Sequence, residues 1–271
     1  MLLEIALIFI ITGIVVGILS GLFGLGGGLT IVPVMSVYLD ITHIVGAEYT
    51  MHIAIATSLF VMIFTSLAST FSHHKRGNIH WQVAWPLGVG VLIGAVIGAI
   101  IAHLLNSEVL KVIFIIFLVY TIAKWILKTI KKPINDTENP ALVIPKTIIL
   151  NIYGCLSGFV AVILGIGCSV MAVPFLRHYK FSMPQSAAIA AAITPALAAV
   201  GATVYIILGY TSANLPHSML GFVYLPATIG LIIGSFCGVP IGTWVSNKML
   251  EKIQSIIYLL FLLLILIVMI S

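Results

Sequence analysis

The chain is too apolar and too poor in charge to be a soluble globular protein. Of its 271 residues, 61% are hydrophobic and 7% are charged, whereas soluble domains carry about 25% charged residues. The formal net charge is +5, but Lys and Arg cluster at the ends of apolar runs, which indicates a role in membrane orientation and not a nucleic-acid partner. The lipid bilayer is therefore the expected solvent of this protein.

Eight charge-poor runs are long enough to cross the hydrocarbon layer as helices, which takes about 20 residues each. The first run has no basic flank and no small-residue cleavage pattern, so it is interpreted as a mature span and not as a signal peptide. In chain order the predicted spans are 3–22, 50–72, 84–104, 110–128, 147–164, 185–208, 219–243 and 253–270.

The chain repeats its own pattern. Gly-Ile-Leu-Ser-Gly at 17–21 returns as Gly-Cys-Leu-Ser-Gly at 154–158. The turn Gly24-Leu-Gly26 followed by Pro33 returns as Gly165-Ile-Gly167 followed by Pro174. A repeat of this length in an apolar chain predicts a transporter with two homologous transmembrane halves, residues 1–130 and 147–271, and a site between them.

A ladder of small residues also occurs twice. Four-residue spacing lets helices approach closely, so the two ladders are predicted to be packing surfaces at the seam between the halves. They consist of Pro86, Gly90, Gly94, Gly98 and Ala102 in the first half, and of Pro226, Gly230, Gly234, Gly238 and Gly242 in the second.

After the first span of each half comes a Gly-rich turn and then a short apolar piece, at 29–38 and at 169–179. If these pieces re-enter the membrane, each half has four crossings and the halves are parallel. If they cross, each half has five and the halves are inverted. Ten helical residues span only about 15 Å, so short crossing helices require their Gly-rich turns to lie within the membrane.

The distribution of basic residues favours the inverted arrangement. Five crossings per half place eleven of the twelve Lys and Arg residues on one side, with Lys111 alone opposite, whereas four crossings divide them seven to five. By the positive-inside rule, we predict an all-α polytopic membrane protein of two inverted repeats, with eight full spans and two short Gly-preceded half-helices. Both termini are then extracytoplasmic and the polar linker 131–146 is cytoplasmic.

The Gly-rich turns are the main candidates for a substrate site. Four glycines in the five residues 24–28 destabilise a regular helix. Non-helical backbone at membrane depth occurs only where it is buried in protein or lines a water-filled cavity. The short helix that follows would direct free N–H groups and about half a positive charge at an anion. The alternative is that these glycines only permit tight helix packing. The candidate residues of the two turns are Gly24, Gly26, Gly27, Gly28, Gly165, Gly167, Cys168 and Ser169.

Hydroxyl groups within the spans are the second set of candidates. Thr57 and Ser58 in the first half correspond to Thr194 and Pro195 in the second. Such hydroxyls can ligate an oxyanion or satisfy a broken helix, although they commonly bond back to the preceding helical turn.

Glu48 and His52 are candidates for carrying a coupled proton. They stand four residues apart, on one face of a helix near the start of a span, and ionisable groups in the membrane are often functional. The alternative is that Glu48 lies in the solvated interface. The His- and Lys-rich segment 73–81 is explained more simply by interface anchoring at a span end. The three cysteines form no CxxC pair, so neither a disulfide framework nor a metal site is expected, and no cofactor is implied.

Three segments together resemble the TauE/SafE family of sulfite exporters and sulfur-anion permeases: residues 17–33, the Ala-Thr-Ser triplet at 56–58, and residues 74–81. The resemblance covers nearly the whole chain. It implies a prokaryotic inner-membrane transporter of small sulfur-containing anions, such as sulfite, sulfoacetate, sulfonates or thiosulfate. The second half departs from the family pattern, with Cys168-Ser169 in place of Gly-Gly and with Pro195 after Thr194. Cys168 could contact the substrate, react with sulfur compounds or simply be a small apolar residue.

We therefore predict a secondary transporter that works by alternating access, with proton coupling through Glu48 and His52 as one option. Its partners are a small anion and the lipid bilayer, and a homo-oligomer is left open. A passive anion channel would share the composition and the glycines. An intramembrane enzyme is less well supported because the only aspartates are Asp40 and Asp136 and no HExxH motif is present. The chain is therefore not expected to be an enzyme.

Overall fold

The computed structural model describes residues 2–23, 27–75, 77–130, 144–211, 216, 218–249 and 251–270, which fold into ten α-helices and one short hairpin. The first half of the chain contributes α1 (Leu2–Phe23), α2 (Gly28–Thr42), a 3-10 turn (Ala47–Tyr49), α3 (Thr50–Lys75), α4 (Trp81–Leu104) and α5 (Ser107–Ile130). The second half contributes α6 (Thr147–Leu164), α7 (Ser169–His178), α8 (Met183–Tyr210), β1 (Met219–Leu220), β2 (Val223–Tyr224), α9 (Leu225–Lys248) and α10 (Glu251–Ile270).

The prediction of an all-α polytopic membrane protein is confirmed. Within the described residues, five helices are long and apolar enough by themselves to cross a membrane, and all five coincide with predicted spans. The largest boundary error is at the start of the predicted span 219–243, which begins with the hairpin, whereas α9 begins only at Leu225. Gly221 and Pro226 account for this, since a glycine with φ of 57° makes the hairpin turn and a proline suits the first turn of a helix. Most of the predicted linker, 131–143, lies outside the described residues.

The two short helices differ in length. Helix α2 has 15 residues and runs four residues beyond the predicted end at Tyr38, so it extends about 22 Å at 1.5 Å per residue. Helix α7 has 10 residues and extends about 15 Å. Both contain the repeated proline, Pro33 in α2 and Pro174 in α7.

The ladder glycines pack α4 against α6 with their backbones in contact, which confirms the prediction that they are packing surfaces joining the two halves. Gly94 faces the carbonyl oxygen of Cys155, and a Cβ on Gly98 would lie 2.7 Å from that of Phe159. As residue numbers rise along α4, the residues they contact on α6 also rise in number, so the two helices run parallel. Because bare backbone meets backbone, this seam leaves no room for side chains.

The second ladder joins α9 to α1 in the same way. Gly234 and Gly238 face the carbonyl oxygens of Ile10 and Ile14, and a Cβ on Gly17 of α1 would lie 2.7 Å from the carbonyl oxygen of Ser235. These two helices are also parallel. In each pair, then, the ladder helix of one half packs on the first helix of the other.

Helix α3 is the most deeply buried of the five long spans and runs antiparallel to α8. The Thr70 hydroxyl donates to the Ala191 carbonyl at 2.8 Å, and Gly201 packs on Leu59. A later residue of α3 thus contacts an earlier residue of α8, which is the antiparallel arrangement. The central pair positions the candidate site, because α3 contacts both Gly-rich turns.

The molecule has two distinct ends. At one, the hairpin packs on the start of α3 through the rings of Phe222 and His52, 5.5 Å apart. At the other, His80 before α4 packs on Phe181 before α8, with ring centroids 5.5 Å apart. The second end carries Lys75 at the end of α3 and Lys180 next to Phe181. We name these the hairpin end and the basic end.

Candidate functional site

The two Gly-rich turns meet in the buried centre of the protein. A Cβ placed on Gly28 would lie 2.6 Å from the carbonyl oxygen of Gly165 and 2.8 Å from the Cα of Ile166. The sulfur of Met62, on α3, would lie 3.0 Å from the same Cβ. The repeat therefore brings its two copies into direct contact, and we name this contact the glycine junction.

Glycine is required at the junction for conformational reasons as well. Gly27 has a φ of 82° and Gly165 a φ of 66°, in the left-handed region that residues with a Cβ rarely adopt. Gly165 ends α6, and the N–H of Ile166 after it donates to the Ala161 carbonyl at 2.9 Å. The chain can then turn sharply and start α7 four residues after Gly165.

Two helix N-termini start beside the junction. In α2 the first N–H groups paired within the backbone are those of Thr30 and Ile31, both donating to the Gly27 carbonyl at 3.0 Å. In α7 the corresponding pair is Met171 and Ala172, which donate to the Cys168 carbonyl. The N–H groups that precede these pairs have no acceptor within their own helices, so each terminus carries about half a positive charge.

Ser58 and Thr57 connect α3 to the surrounding backbone. The Ser58 hydroxyl donates to the Gly165 carbonyl at 2.8 Å, which ties α3 to the second turn. The Thr57 hydroxyl oxygen accepts from the Tyr224 N–H at 3.1 Å and so holds the hairpin. Both side chains are fully buried. Two neighbouring hydroxyls on α3 thus connect this helix to the junction and to the hairpin, respectively.

The remaining predicted residues of the turns and of α8 are placed as follows. Gly167, Cys168 and Ser169 are buried at the start of α7. Thr194 is buried on α8 and its hydroxyl donates to the Ala190 carbonyl at 2.7 Å, which is the local back-bond raised as the alternative. Gly24 and Gly26 lie outside the described residues.

Glu48 and His52 are separated by their environments. Glu48 lies in the 3-10 turn before α3 and is exposed. His52 is buried on α3, and its Nε2 lies 3.2 Å from the carbonyl oxygen of Ala102 near the end of α4. A carbonyl only accepts, so His52 donates through Nε2. Its ring is 6.4 Å from that of His103.

Three residues near His52 were not found from the sequence: His103, Tyr205 and Phe222. His103 had a signal, since it is an ionisable residue at the end of a predicted span. Tyr205 and Phe222 had none, because a single aromatic residue in an apolar span resembles any other core residue. All three pack at the hairpin end.

Comparison with known proteins gives one family and several relatives. The family model described as sulfite exporter TauE/SafE matches residues 9–270. A probable membrane transporter protein of Haemophilus influenzae is 30% identical over 243 residues, covering 90% of this chain and 89% of the relative. A probable membrane transporter protein of Methanocaldococcus jannaschii is 28% identical over 256 residues, covering 92% and 90%. The probable membrane transporter protein YunE of Bacillus subtilis is 27% identical over 257 residues, covering 90% of each chain. No solved structure gives a significant match.

Proposed function

The chain belongs to the TauE/SafE family and is a membrane transporter of that type, and we propose that it carries small sulfur-containing anions of the sulfite, sulfonate, sulfoacetate or thiosulfate class. The observation that carries this proposal is the glycine junction. There, the start of α2 at Gly28 packs on Gly165 and Ile166, in the buried turn that precedes α7.

The chemistry of the junction suits a small oxyanion. Unpaired backbone N–H groups and two helix dipoles attract negative charge without a lysine or an arginine. The Ser58 hydroxyl, which contacts the junction, adds a donor if it turns from the Gly165 carbonyl towards the substrate. The Thr194 hydroxyl on α8 would add a second if it left the Ala190 carbonyl. Four family positions, Gly27, Gly28, Thr57 and Ser58, lie in or beside this region, which supports a family-type substrate. Cys168 and Ser169 would shape the second half of the site.

We propose that the two halves are inverted repeats with five crossings each. Corresponding helices keep the same order, with a short second helix in each half. The parallel pairs α1 with α9 and α4 with α6, and the antiparallel pair α3 with α8, agree with halves of opposite orientation. The basic end would then face the cytoplasm by the positive-inside rule, in the inner membrane of a prokaryotic cell, with both termini extracytoplasmic.

Transport by alternating access requires two rigid units that move around a central site. The ladder contacts are backbone to backbone and tolerate little sliding. We therefore expect α1 to move together with α9, and α4 together with α6, so that each moving unit contains helices of both halves. The glycine junction lies where these units meet on α3, and movement there would expose the anion to one side and then to the other.

If transport is coupled to protons, His52 is a better candidate than Glu48 for the residue that carries the proton. With Nε2 donating to Ala102, the second nitrogen of His52 carries a lone pair in the neutral ring and a proton in the charged ring. A buried imidazole that changes charge would alter the packing of the hairpin end. Glu48 is exposed, so its charge is solvated.

The experiment that tests the proposal is uptake of radiolabelled sulfite, thiosulfate and a short sulfonate into sealed proteoliposomes, with and without an imposed pH gradient. Protein-free liposomes and unlabelled competitor are the controls. Saturable uptake supports a carrier, whereas flux that rises linearly with concentration identifies a passive anion channel. If sealed and correctly loaded vesicles take up none of the three anions, the sulfur-anion assignment is wrong.

A further inference from the structure

At the hairpin end, an apolar ring is enclosed by polar rings from three helices. Phe222 is fully buried. Its ring centroid lies 5.5 Å from that of His52 on α3, 6.0 Å from that of His103 on α4 and 6.5 Å from that of Tyr205 on α8. The ring of Tyr49, in the 3-10 turn, lies 5.7 Å away. Phe222 also belongs to the apolar core of the protein, so it lies where that core meets several polar rings.

Each of the three polar rings has a buried atom left without a partner. In the described part of the chain, Nδ1 of His52, Nδ1 of His103 and the hydroxyl of Tyr205 make no hydrogen bond. Tyr205 has no exposed surface and His52 is 4% exposed. Buried polar groups are nearly always paired, and each unpaired one lowers stability. Three of them around one side chain indicate a pocket whose polar groups are used when that side chain is elsewhere.

Phe222 is carried on a separate element that fits over this pocket. It is the second residue of the two-residue turn between β1 and β2, after Gly221, whose positive φ suits a type II′ hairpin. The hairpin packs by its backbone on α8, where Gly209 faces the Phe222 N–H and Gly221 faces the Ile206 carbonyl. Its last residue is held by the bond from the Tyr224 N–H to Thr57. Withdrawal of Phe222 would have to separate this backbone contact and break the Tyr224–Thr57 bond, but it would unwind no helix.

His52 and the glycine junction are connected through α3. His52 precedes Ser58 by six residues on α3, which is about 9 Å along the helix axis, and Ser58 binds the Gly165 carbonyl. An anion that replaced Phe222 would thus stand about two helical turns from the central site, on the side of the hairpin end.

We propose that Phe222 occupies a second, outer binding site for the transported oxyanion, lined by His52, His103 and Tyr205; this rests on the proposed function. When the hairpin withdraws, the Tyr205 hydroxyl and the imidazole N–H groups become the donors for the anion. His52 already donates Nε2 to Ala102, so its Nδ1 donates to an anion only when the ring is protonated, and anion and proton enter together.

The ionisable groups that surround His52 come from three elements. Tyr49 in the 3-10 turn has its ring 6.4 Å away, His103 approaches from α4, and Tyr205 faces Phe222 from α8. Glu48, one turn before His52, is exposed. Among these, His103 is the group whose charge opposes that of a protonated His52, and a bound anion would offset that repulsion.

The test measures equilibrium binding of radiolabelled sulfite and thiosulfate to the purified full-length protein. Phe222→Ala opens the pocket, so bound anion at saturation is expected to rise about twofold over wild type as a second site becomes available. Phe114→Ala, which removes an equally buried ring from α5, is the matched control and is expected to leave the bound amount unchanged. If Phe222→Ala binds no more anion than Phe114→Ala, the outer site does not exist.

Tyr205→Phe tests the same site without opening a cavity. If the Tyr205 hydroxyl has no role in binding, removing this unpaired group should leave thermal stability unchanged or raise it, and transport should be unchanged. The outer site predicts unchanged stability together with a half-saturating concentration for uptake about fivefold higher and a retained maximal rate. An unchanged half-saturating concentration overturns the proposal even if Phe222→Ala does not fold. Wild-type protein that takes up no anion refutes the proposed function itself, whereas wild-type uptake with unaltered Tyr205→Phe kinetics refutes only the outer site.

Discussion

The backbones of Gly28 and Gly165 touch, although 137 residues separate them in the chain. A Cβ on Gly28 would lie 2.6 Å from the Gly165 carbonyl oxygen, and that oxygen also accepts a hydrogen bond from Ser58. One atom thus joins the start of α2, the end of α6 and the middle of α3. A change at any of the three residues must disturb the other two.

Gly28→Ala is expected to destabilise the protein by about 1–3 kcal/mol, the usual cost of overpacking a close-packed interior. Backbone atoms of Gly165 and Ile166 oppose the new methyl group, and backbone yields less than a flexible side chain. Thermal unfolding of the purified protein measures the change, and anion uptake should fall in parallel. Gly88→Ala is the matched control, because its Cβ would meet only the Ile193 side chain at 3.6 Å. Equal stability of the two variants would refute the junction as a tight contact.

Gly94→Ala and Gly234→Ala are expected to act alike, because each glycine faces a carbonyl oxygen of the partner helix, that of Cys155 and that of Ile10. Each substitution should lower stability by about 1–3 kcal/mol. Thermal unfolding in detergent provides the measurement. Val96→Ala, at a 40% exposed position on α4, should have a smaller effect. A large loss from only one of the two glycine variants would argue against equivalent seams.

Thr57→Val and Thr194→Val are expected to separate structural from binding roles. The first leaves the buried Tyr224 N–H without its acceptor and should cost about 1–3 kcal/mol. The second removes only a bond within α8 and should leave unfolding nearly unchanged, while weakening anion binding about fivefold if Thr194 contacts the substrate. Binding of labelled anion and thermal unfolding are measured on both proteins. Wild-type affinity in a stable Thr194→Val protein would remove Thr194 from the site.

His52→Gln is expected to abolish the stimulation of uptake by a pH gradient while exchange of labelled for unlabelled anion continues, because exchange needs no net proton movement. Glu48→Gln is the control, since Glu48 is exposed, and it should retain gradient dependence. Both reactions are measured in proteoliposomes. If only Glu48→Gln loses stimulation by the pH gradient, Glu48 carries the coupled proton. If both variants keep the stimulation, another residue carries it.

Single cysteines at Ala47 and Lys180 should report opposite sides of the membrane. Both positions are exposed, one beside the hairpin end and one at the basic end. In a background without Cys155, Cys168 and Cys237, a membrane-impermeant maleimide applied to intact cells should label Ala47→Cys, and Lys180→Cys only after permeabilisation. Labelling of both from outside contradicts the inverted five-crossing arrangement, and the reverse pattern contradicts the orientation.

Several features of the fold could be predicted from the sequence because they depend on one-dimensional patterns. A helix in a bilayer must be apolar over a fixed length, so α6 appears with the predicted bounds 147 and 164. Four-residue spacing of glycines predicted the α4 seam, since it places them all on one helix face. The hairpin before α9 was missed because its residues, Met219 to Tyr224, are as apolar as the helix that follows.

The candidate site was only partly predictable. The glycine repeat identified Gly28 and Gly165 as special, because clustered glycines weaken a helix and are expected within a span only where the backbone turns or approaches another segment closely. The role of Ser58 could not be inferred, since its acceptor is a carbonyl 107 residues away. The pocket around Phe222 could not be inferred either, because it is assembled from four separate elements.

The sequence by itself determined that this chain is a polytopic membrane protein of the TauE/SafE type with a repeated glycine pattern, because composition, span length and repeated glycines are properties of local chain segments. Only the tertiary structure decided which segments meet: that α4 packs on α6 and α1 on α9, that the two Gly-rich turns touch, and that a hairpin places Phe222 among three polar rings. The reason is physical. Close packing depends on the shape and direction of surfaces distant in the chain, and no local pattern encodes which of many similar apolar surfaces will fit.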